Sequence, residues 1–256
     1  MTTLPTVSIV ILNHNYEQYV AEAIESALSQ TPGAYELVEV VVIDDGSTDR
    51  SHQIYQRYPS LRVVRSSHYG FGATLTRAIR EAHGDWVALL DADDAFEPIK
   101  LHRLAPTLAD PTVSLVQNGE YVVDADGEPF AEGYHPGGAT STLLARVVDV
   151  HPLLPISNEL FLHVLAEAGR GCVVPDPLTR YRVHEQSMTD RSTPGVFSKF
   201  MATVCADISS RLDQLVLDPP NWATRAQLLR WSGGYRDKVS AYRRESIKQI
   251  NERTLR

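Results

Sequence analysis

Aspartates gather at two places in this 256-residue chain, Ile43-Asp44-Asp45-Gly46-Ser47-Thr48-Asp49 and Leu90-Asp91-Ala92-Asp93-Asp94. Carboxylates massed this closely repel one another unless a cation or hydrogen-bond donors offset the charge. A divalent metal shared with phosphate is the usual solution, so the chemistry indicated is that of a nucleotide-dependent enzyme. Each cluster closes an apolar run, 37–43 and 86–90, that reads as a buried strand. Both acidic groups then lie at the carboxyl ends of strands in one sheet, the edge at which open α/β sheets take ligands.

The elements that position them alternate. An apolar strand at 7–12 is followed by helical spacing of Val20, Ala21, Ile24, Ala27 and Leu28. After the break at Thr31-Pro32-Gly33 come the 37–43 strand, a helix over 51–57 and a short strand at 61–64. A helix over 73–83 stops at Gly84, the 86–90 strand follows, and another helix runs from Pro98 to about Leu108. Four strands alternating with helices predict a parallel sheet with right-handed crossovers. In the second half, 115–123 reads as a strand reversing at Asp126-Gly127. Residues 131–142, rich in Gly, Pro, Ser and Thr, predict a mobile loop. A helix over 159–168 and a short strand at 172–174 follow. From Pro194 the pattern is helical, with breaks expected at Asp218-Pro219-Pro220 and Gly233-Gly234. The last 21 residues carry Arg236, Lys238, Arg243, Arg244, Lys248, Arg253 and Arg256. This is either a solvated helix or a contact for acidic lipid or a partner subunit, including a second copy of the chain.

Composition narrows the class. A formal net charge of -8 argues against a nucleic-acid partner, which needs a basic surface. Cys172 and Cys205 stand alone, without metal-ligand spacing, as expected of a reducing compartment. There is no leader pattern and no uncharged run near the ~20 residues of a membrane span. The expectation is a soluble, cytoplasmic protein.

Four blocks in order, Val7-Ser8-Ile9-Val10-Ile11-Leu12-Asn13-His14-Asn15, Ser26-Ala27-Leu28-Ser29-Gln30-Thr31, Val42-Ile43-Asp44-Asp45-Gly46-Ser47-Thr48-Asp49 and Leu89-Leu90-Asp91-Ala92-Asp93-Asp94, resemble family 2 glycosyltransferases of the GT-A fold. The resemblance continues to Arg180-Tyr181-Arg182-Val183-His184 and covers roughly residues 4–190. It implies a Rossmann-like α/β fold, mostly parallel and flanked by helices. Residues 4–110 would form the nucleotide-sugar half, 111–190 the acceptor half and 194–256 a helical C-terminal extension. The implied activity is metal-dependent and inverting transfer from a nucleotide-sugar donor, UDP-linked first, to a hydroxyl on a glycan, a lipid-linked precursor or a small metabolite. Such a chain could also be a degenerate nucleotide-sugar-binding protein, and products separate the two.

The resemblance also implies roles. Asn13, Asn15, Asp44 and Asp45 line the nucleoside pocket, where a carboxylate suits the imide N–H of uracil; Tyr16 either stacks on the base or packs on its own domain. Ser47 and Asp49 read as caps of the next helix. Asp91-Ala92-Asp93 matches the Asp-x-Asp motif, with Asp91 and Ala92 at the nucleotide. Asp93 and Asp91 would hold Mn2+ or Mg2+ against the departing diphosphate, and His184 is a further candidate ligand. Asp94 is either part of this group or a helix cap. Arg180 and Arg182 either meet phosphate or form ion pairs. An inverting transferase needs a carboxylate to take the acceptor proton. Ser157 or Asn158 stands where the family usually has that aspartate, which leaves Glu159 as the candidate base, with Asp149 and His151 in reserve.

Overall fold

The computed structural model describes residues 3–133, 139–185 and 195–254. β1 (Thr6–Asn13), α1 (Val20–Leu28), β2 (Glu36–Asp44), α2 (Ser51–Tyr55), β3 (Arg62–Arg65), α3 (Phe71–Glu81) and β4 (Trp86–Asp91) alternate as the sequence predicts. β5 (Ala95–Phe96) and α4 (Lys100–Leu108) follow, then β6 (Leu115–Val123) and β7 (Pro129–Gly133), paired antiparallel across the Asp-Gly turn. β8 (Leu143–Arg146), α5 (Val147–Val150), α6 (His163–Glu167) and β9 (Gly171–Arg182) lead to the long helices α7 (Val196–Leu215) and α8 (Arg225–Thr254).

The described strands form one sheet in the order β3-β2-β1-β4-β8-β6-β9-β5, with β7 paired to β6. The predicted parallel arrangement holds for β3-β2-β1-β4. Beyond β4 the sheet is mixed: β8 runs antiparallel to β4 and β6, while β9 runs parallel to β6. Alternation along the strands supplies two cores. Val7, Ile9 and Ile11 of β1 and Trp86, Ala88 and Leu90 of β4 pack with the apolar stripes of α1 and α4. Val10, Leu12, Val87 and Leu89 face the other way, onto α3, α6, α7 and α8. The C-terminal helices therefore share the sheet's own core.

Three local expectations change. Gly233 and Gly234 lie inside α8, where side-chain packing of Leu228, Trp231, Tyr235 and Val239 carries the helix through them. The strand expected at 172–174 is the start of the twelve-residue β9, which passes through Pro175 and Pro177 with register shifts against β6. Of the loop expected to be mobile, 131–133 is strand and Thr140–Thr142 is a buried 3-10 turn; 134–138 lies outside the described residues.

Register fixes the functional edge. Asn13 pairs with Asp44 across β1 and β2, and Leu12 pairs with Asp91 across β1 and β4, so both aspartate clusters open on the same carboxyl edge.

Candidate active site

Asp91 ends β4, and the chain then turns tightly: the Ala92 N–H reaches the Leu12 carbonyl at 3.0 Å and the Asp94 N–H reaches the Asp91 carbonyl at 3.0 Å. Ala92 is buried and serves the turn. Asp93 lies 3.0 Å, through Oδ2, from His184 Nε2. The imidazole is seated between Tyr16 and Tyr19, with ring centroids 5.7 and 4.9 Å away. The Tyr16 hydroxyl bonds Asp93 as well, and burial with the three nearby aspartates pushes its pKa up. His184, 91 positions distant in sequence, thus lies against Asp93 of the Asp-x-Asp group.

Asp94 is buried and caps no helix. It accepts the Ser141 hydroxyl and, at 2.8 Å, the Arg182 backbone N–H. Ser141 in turn accepts the Asp91 N–H at 2.9 Å, and its carbonyl takes Lys100 Nζ at 2.6 Å. Lys100 is fully buried, also donates to Thr179 Oγ1 at 3.0 Å, and sits 3.6 Å over the Phe96 ring; burial drives its pKa well down. Ser141 and Lys100 are supporting residues that sequence reasoning missed, since Ser141 falls in the stretch read as a loop and Lys100 in an ordinary-looking helix. Arg182 and Arg180 form ion pairs: Arg182 with Glu22 at 2.6 Å, its Nε also on the Asp93 carbonyl at 2.9 Å, and Arg180 with Glu22 and Glu97.

Burial and mutual repulsion hold Asp91 and Asp94 well above the ordinary carboxylate range. Burial raises Asp93 too, partly offset by the His184 hydrogen bond. Buried and half-buried carboxylates that still repel one another with Arg182 and Lys100 nearby, and with the His184 imidazole against Asp93, make a donor set that fits a hard divalent cation.

Glu159 opens a 3-10 turn (Glu159–Leu162) capped by Asn158, whose Oδ1 accepts the Leu160 N–H at 3.0 Å. Burial pushes its carboxyl up to about 7. Its charge contributes to the raised pKa of Asp91, within electrostatic reach of the Asp-x-Asp group. Thr76 Oγ1 holds the preceding segment through both the N–H and carbonyl of Ile156, at 3.0 and 3.1 Å. Ser157, on the neighbouring position, donates instead to Asp207 of α7 at 3.0 Å. Asp149 is buried and engaged by Arg170 at 3.1 Å and by the Ser114 hydroxyl. His151 is exposed.

At the other cluster, Asp44 has no exposed surface; it accepts the Ser47 N–H at 2.7 Å and the Tyr55 hydroxyl at 3.0 Å. In this arrangement both Asp44 oxygens are engaged within its own turn. Asp45 accepts the Tyr69 and Gly70 N–H groups at 2.8 and 2.9 Å. Asn13 donates to Ser47 and Tyr55, and its buried Oδ1 has no partner among the described residues. Asn15, at φ 60, accepts the Thr48 and Asp49 N–H groups. Asp49 accepts the Ser51 N–H at 3.0 Å from one position before the α2 cap, Arg50, which makes no side-chain capping bond, and Ser47 serves Asn13 and Asn15.

Comparison with known proteins gives these residues a context. S. aureus TarS (residues 1–349), crystallised in complex with UDP-GlcNAc, aligns over 91% of this chain and 81% of its own with a TM-score of 0.63 at 18% identity. A mannosyltransferase from Pyrobaculum calidifontis in complex with GDP-Man and Mn2+ aligns over 94% of this chain and 74% of its own, with a TM-score of 0.53 at 16% identity. The sheet with its flanking and C-terminal helices is that of GT-A glycosyltransferases. In sequence, an uncharacterized glycosyltransferase of Nostoc sp. is 31% identical over 147 residues, 56% of this chain; the alignment spans 45% of that longer protein. The family model for glycosyl transferase family 2 matches residues 8–148, more than half of the chain, and the protein belongs to that family of glycosyltransferases.

Proposed function

We propose that this glycosyltransferase is a metal-dependent, inverting enzyme that moves a sugar from a nucleoside-diphosphate donor, a UDP-sugar first, to an acceptor hydroxyl. The observation that carries the reading is the register that opens both aspartate clusters on one carboxyl edge, with Asp93 bonded to His184; beside it, burial pushes the Glu159 carboxyl up to about 7. A base with a pKa near the working pH is suited to proton abstraction. Glu159 takes the proton of the acceptor hydroxyl as that oxygen bonds to the anomeric carbon from the face opposite the diphosphate. The bond from the anomeric carbon to the β-phosphate oxygen breaks, and the nucleoside diphosphate leaves with the electron pair.

Asp91 and Asp93 would hold Mn2+ or Mg2+, with His184 orienting Asp93 or joining it as a ligand; bound there, the ion supplies Lewis-acid stabilisation to the diphosphate. Asn13, Asn15 and Asp45 form the nucleoside side, with Asp44 setting their turn. The complexes of TarS with UDP-GlcNAc and of the mannosyltransferase with GDP-Man and Mn2+ support a nucleotide-sugar donor and a divalent ion. The acceptor is a sugar, a lipid-linked precursor or a small molecule. The exposed basic residues of α8 are the candidate contact for a membrane surface or a second subunit.

Calorimetric titration with UDP, GDP, dTDP and CDP, each with and without Mn2+, tests the donor site. Metal-dependent binding of one nucleotide is expected. Binding of none removes the donor assignment, and binding without sugar transfer to any acceptor returns the chain to a degenerate nucleotide-sugar-binding protein.

A further inference from the structure

Behind the Asp-x-Asp turn stands a lysine with no exposed surface, Lys100 of α4. Taking an ammonium out of water is costly unless its N–H groups find acceptors. Two are matched, by the Ser141 carbonyl at 2.6 Å and Thr179 Oγ1 at 3.0 Å, and the charge lies 3.6 Å from the centre of the Phe96 ring. Thr179 Oγ1 donates to the same Ser141 carbonyl at 3.1 Å and accepts the Asn118 amide at 2.9 Å. Side chains of α4 and β9 therefore converge on one backbone oxygen, with β6 bracing them. An apolar side chain of similar length would fill this space without the desolvation cost, so the ammonium is explained by what it holds.

It holds the Thr140–Thr142 turn. All three residues of the turn are buried, and the Thr142 N–H and hydroxyl both close on the Ala139 carbonyl, at 2.9 and 2.7 Å. Two hydroxyls of this turn reach the acidic group. Ser141 Oγ donates to Asp94 Oδ2 and accepts the Asp91 N–H at 2.9 Å. The Thr140 hydroxyl bonds the Asp91 carboxyl and favours its charged form. Asp91 is thus held at its N–H by one hydroxyl and at its carboxyl by the next, while Asp94 is tied to the same turn. Carboxylates this close repel one another. Hydroxyls on a turn anchored by a buried cation oppose that repulsion, as outer partners orient the ligands of a metal.

We propose that Lys100, Thr140 and Ser141 are positioning residues for the cation and the diphosphate: the ammonium anchors the turn, and the two hydroxyls hold Asp91 and Asp94 in the arrangement that the ion meets. The assignment rests on the reading that Asp91 and Asp93 hold a divalent ion. It makes these three residues set the gain in nucleotide affinity that metal provides, and leaves affinity for the nucleotide without metal to the other aspartate cluster.

The test is calorimetric titration of the full chain with UDP, in Mn2+ and in chelator, and the readout is the ratio of the two affinities. Thr140→Val removes a hydroxyl and keeps the branched shape, whereas Thr140→Ser keeps the hydroxyl. The Mn2+ gain should fall by about ten-fold in Thr140→Val and in Ser141→Ala, and stay at the wild-type level in Thr140→Ser. Lys100→Met should lower it likewise; if that variant does not fold, the hydroxyl variants decide. Affinity in chelator should be unchanged throughout. A wild-type gain in both Thr140→Val and Ser141→Ala, a loss in Thr140→Ser equal to that in Thr140→Val, or a fall in chelator that matches the fall in Mn2+ would each overturn the assignment, the last by reducing these residues to a structural role. No Mn2+ gain in wild type would instead remove the metal reading beneath it, an outcome distinct from a gain that the variants leave untouched.

Discussion

Glu159 and Asp93 divide the proposed chemistry between proton transfer and charge neutralisation, and each division can be measured. Glu159→Gln keeps size and removes the base; turnover should fall by about 100- to 10,000-fold while nucleotide affinity is kept. Because burial holds the Glu159 carboxyl up to about 7, wild-type kcat should rise through that pH as the base ionises, and the rise should vanish in the variant. A variant with wild-type turnover moves the base elsewhere. Asp93→Ala should lower kcat by about 100-fold or more and abolish the metal-dependent part of nucleotide binding, with the circular dichroism spectrum unchanged. Asp44 asks for a different experiment from the one its motif suggests. Its oxygens are taken by Ser47 and Tyr55, so Asp44→Ala should lower stability together with nucleoside affinity, because the turn presenting Asp45 loses its support.

The segment carrying Glu159 is aimed by α3, an arrangement that exists only in three dimensions. A Cβ on Gly72 would stand 2.7 Å from the Ser157 Cα and 2.8 Å from its carbonyl oxygen, so the first turn of α3 presses directly on the residues before the base. Gly72→Ala should shift that segment, cost about 1–3 kcal/mol of stability, and reduce kcat while leaving nucleotide affinity intact; loss of affinity in step with kcat would show a wider disturbance. Such contacts mark the limit of sequence reading. β1, β2 and β4, and the aspartates closing β2 and β4, were legible because a buried strand writes a continuous apolar run and a turn ends it. His184 was marked as a candidate by its motif alone, and the structure sets it against Asp93. Ser141 and Lys100 were hidden, since their roles come from the Thr140–Thr142 turn, α4 and β9 meeting behind Asp94, and no local pattern records which loop closes over which strand. Gly233 and Gly234 misled for the same reason: propensity argues for a break, and packing of Trp231 and Tyr235 into the shared core overrules it.

Across the molecule, the paired acidic groups make stability, pH and metal one linked property. Asp91, Asp93, Asp94 and Glu159 all have folded-state pKa values above their ordinary ones, chiefly through burial. As pH rises, the unfolded chain therefore loses these protons first. The stability they lend is whole below the ordinary carboxylate range and declines as pH climbs through the raised values, for Glu159 between about 4.5 and about 7. Glu17, Glu39 and Asp110, held low by hydrogen bonds and, for the two glutamates, arginine partners, act in the opposite sense, so the pH profile of the metal-free protein mixes both. A divalent ion separates them, because it stabilises the ionised form of the Asp91 and Asp93 group and competes there with protons. The rise in unfolding temperature produced by Mn2+ should accordingly be larger at about pH 8 than at about pH 5. Thermal unfolding at both values, with Mn2+ or with chelator, measures this difference, from which the groups that do not meet the ion cancel. Asp93→Ala should flatten it; an equal Mn2+ effect at both pH values would show that the ion binds without displacing protons from this cluster.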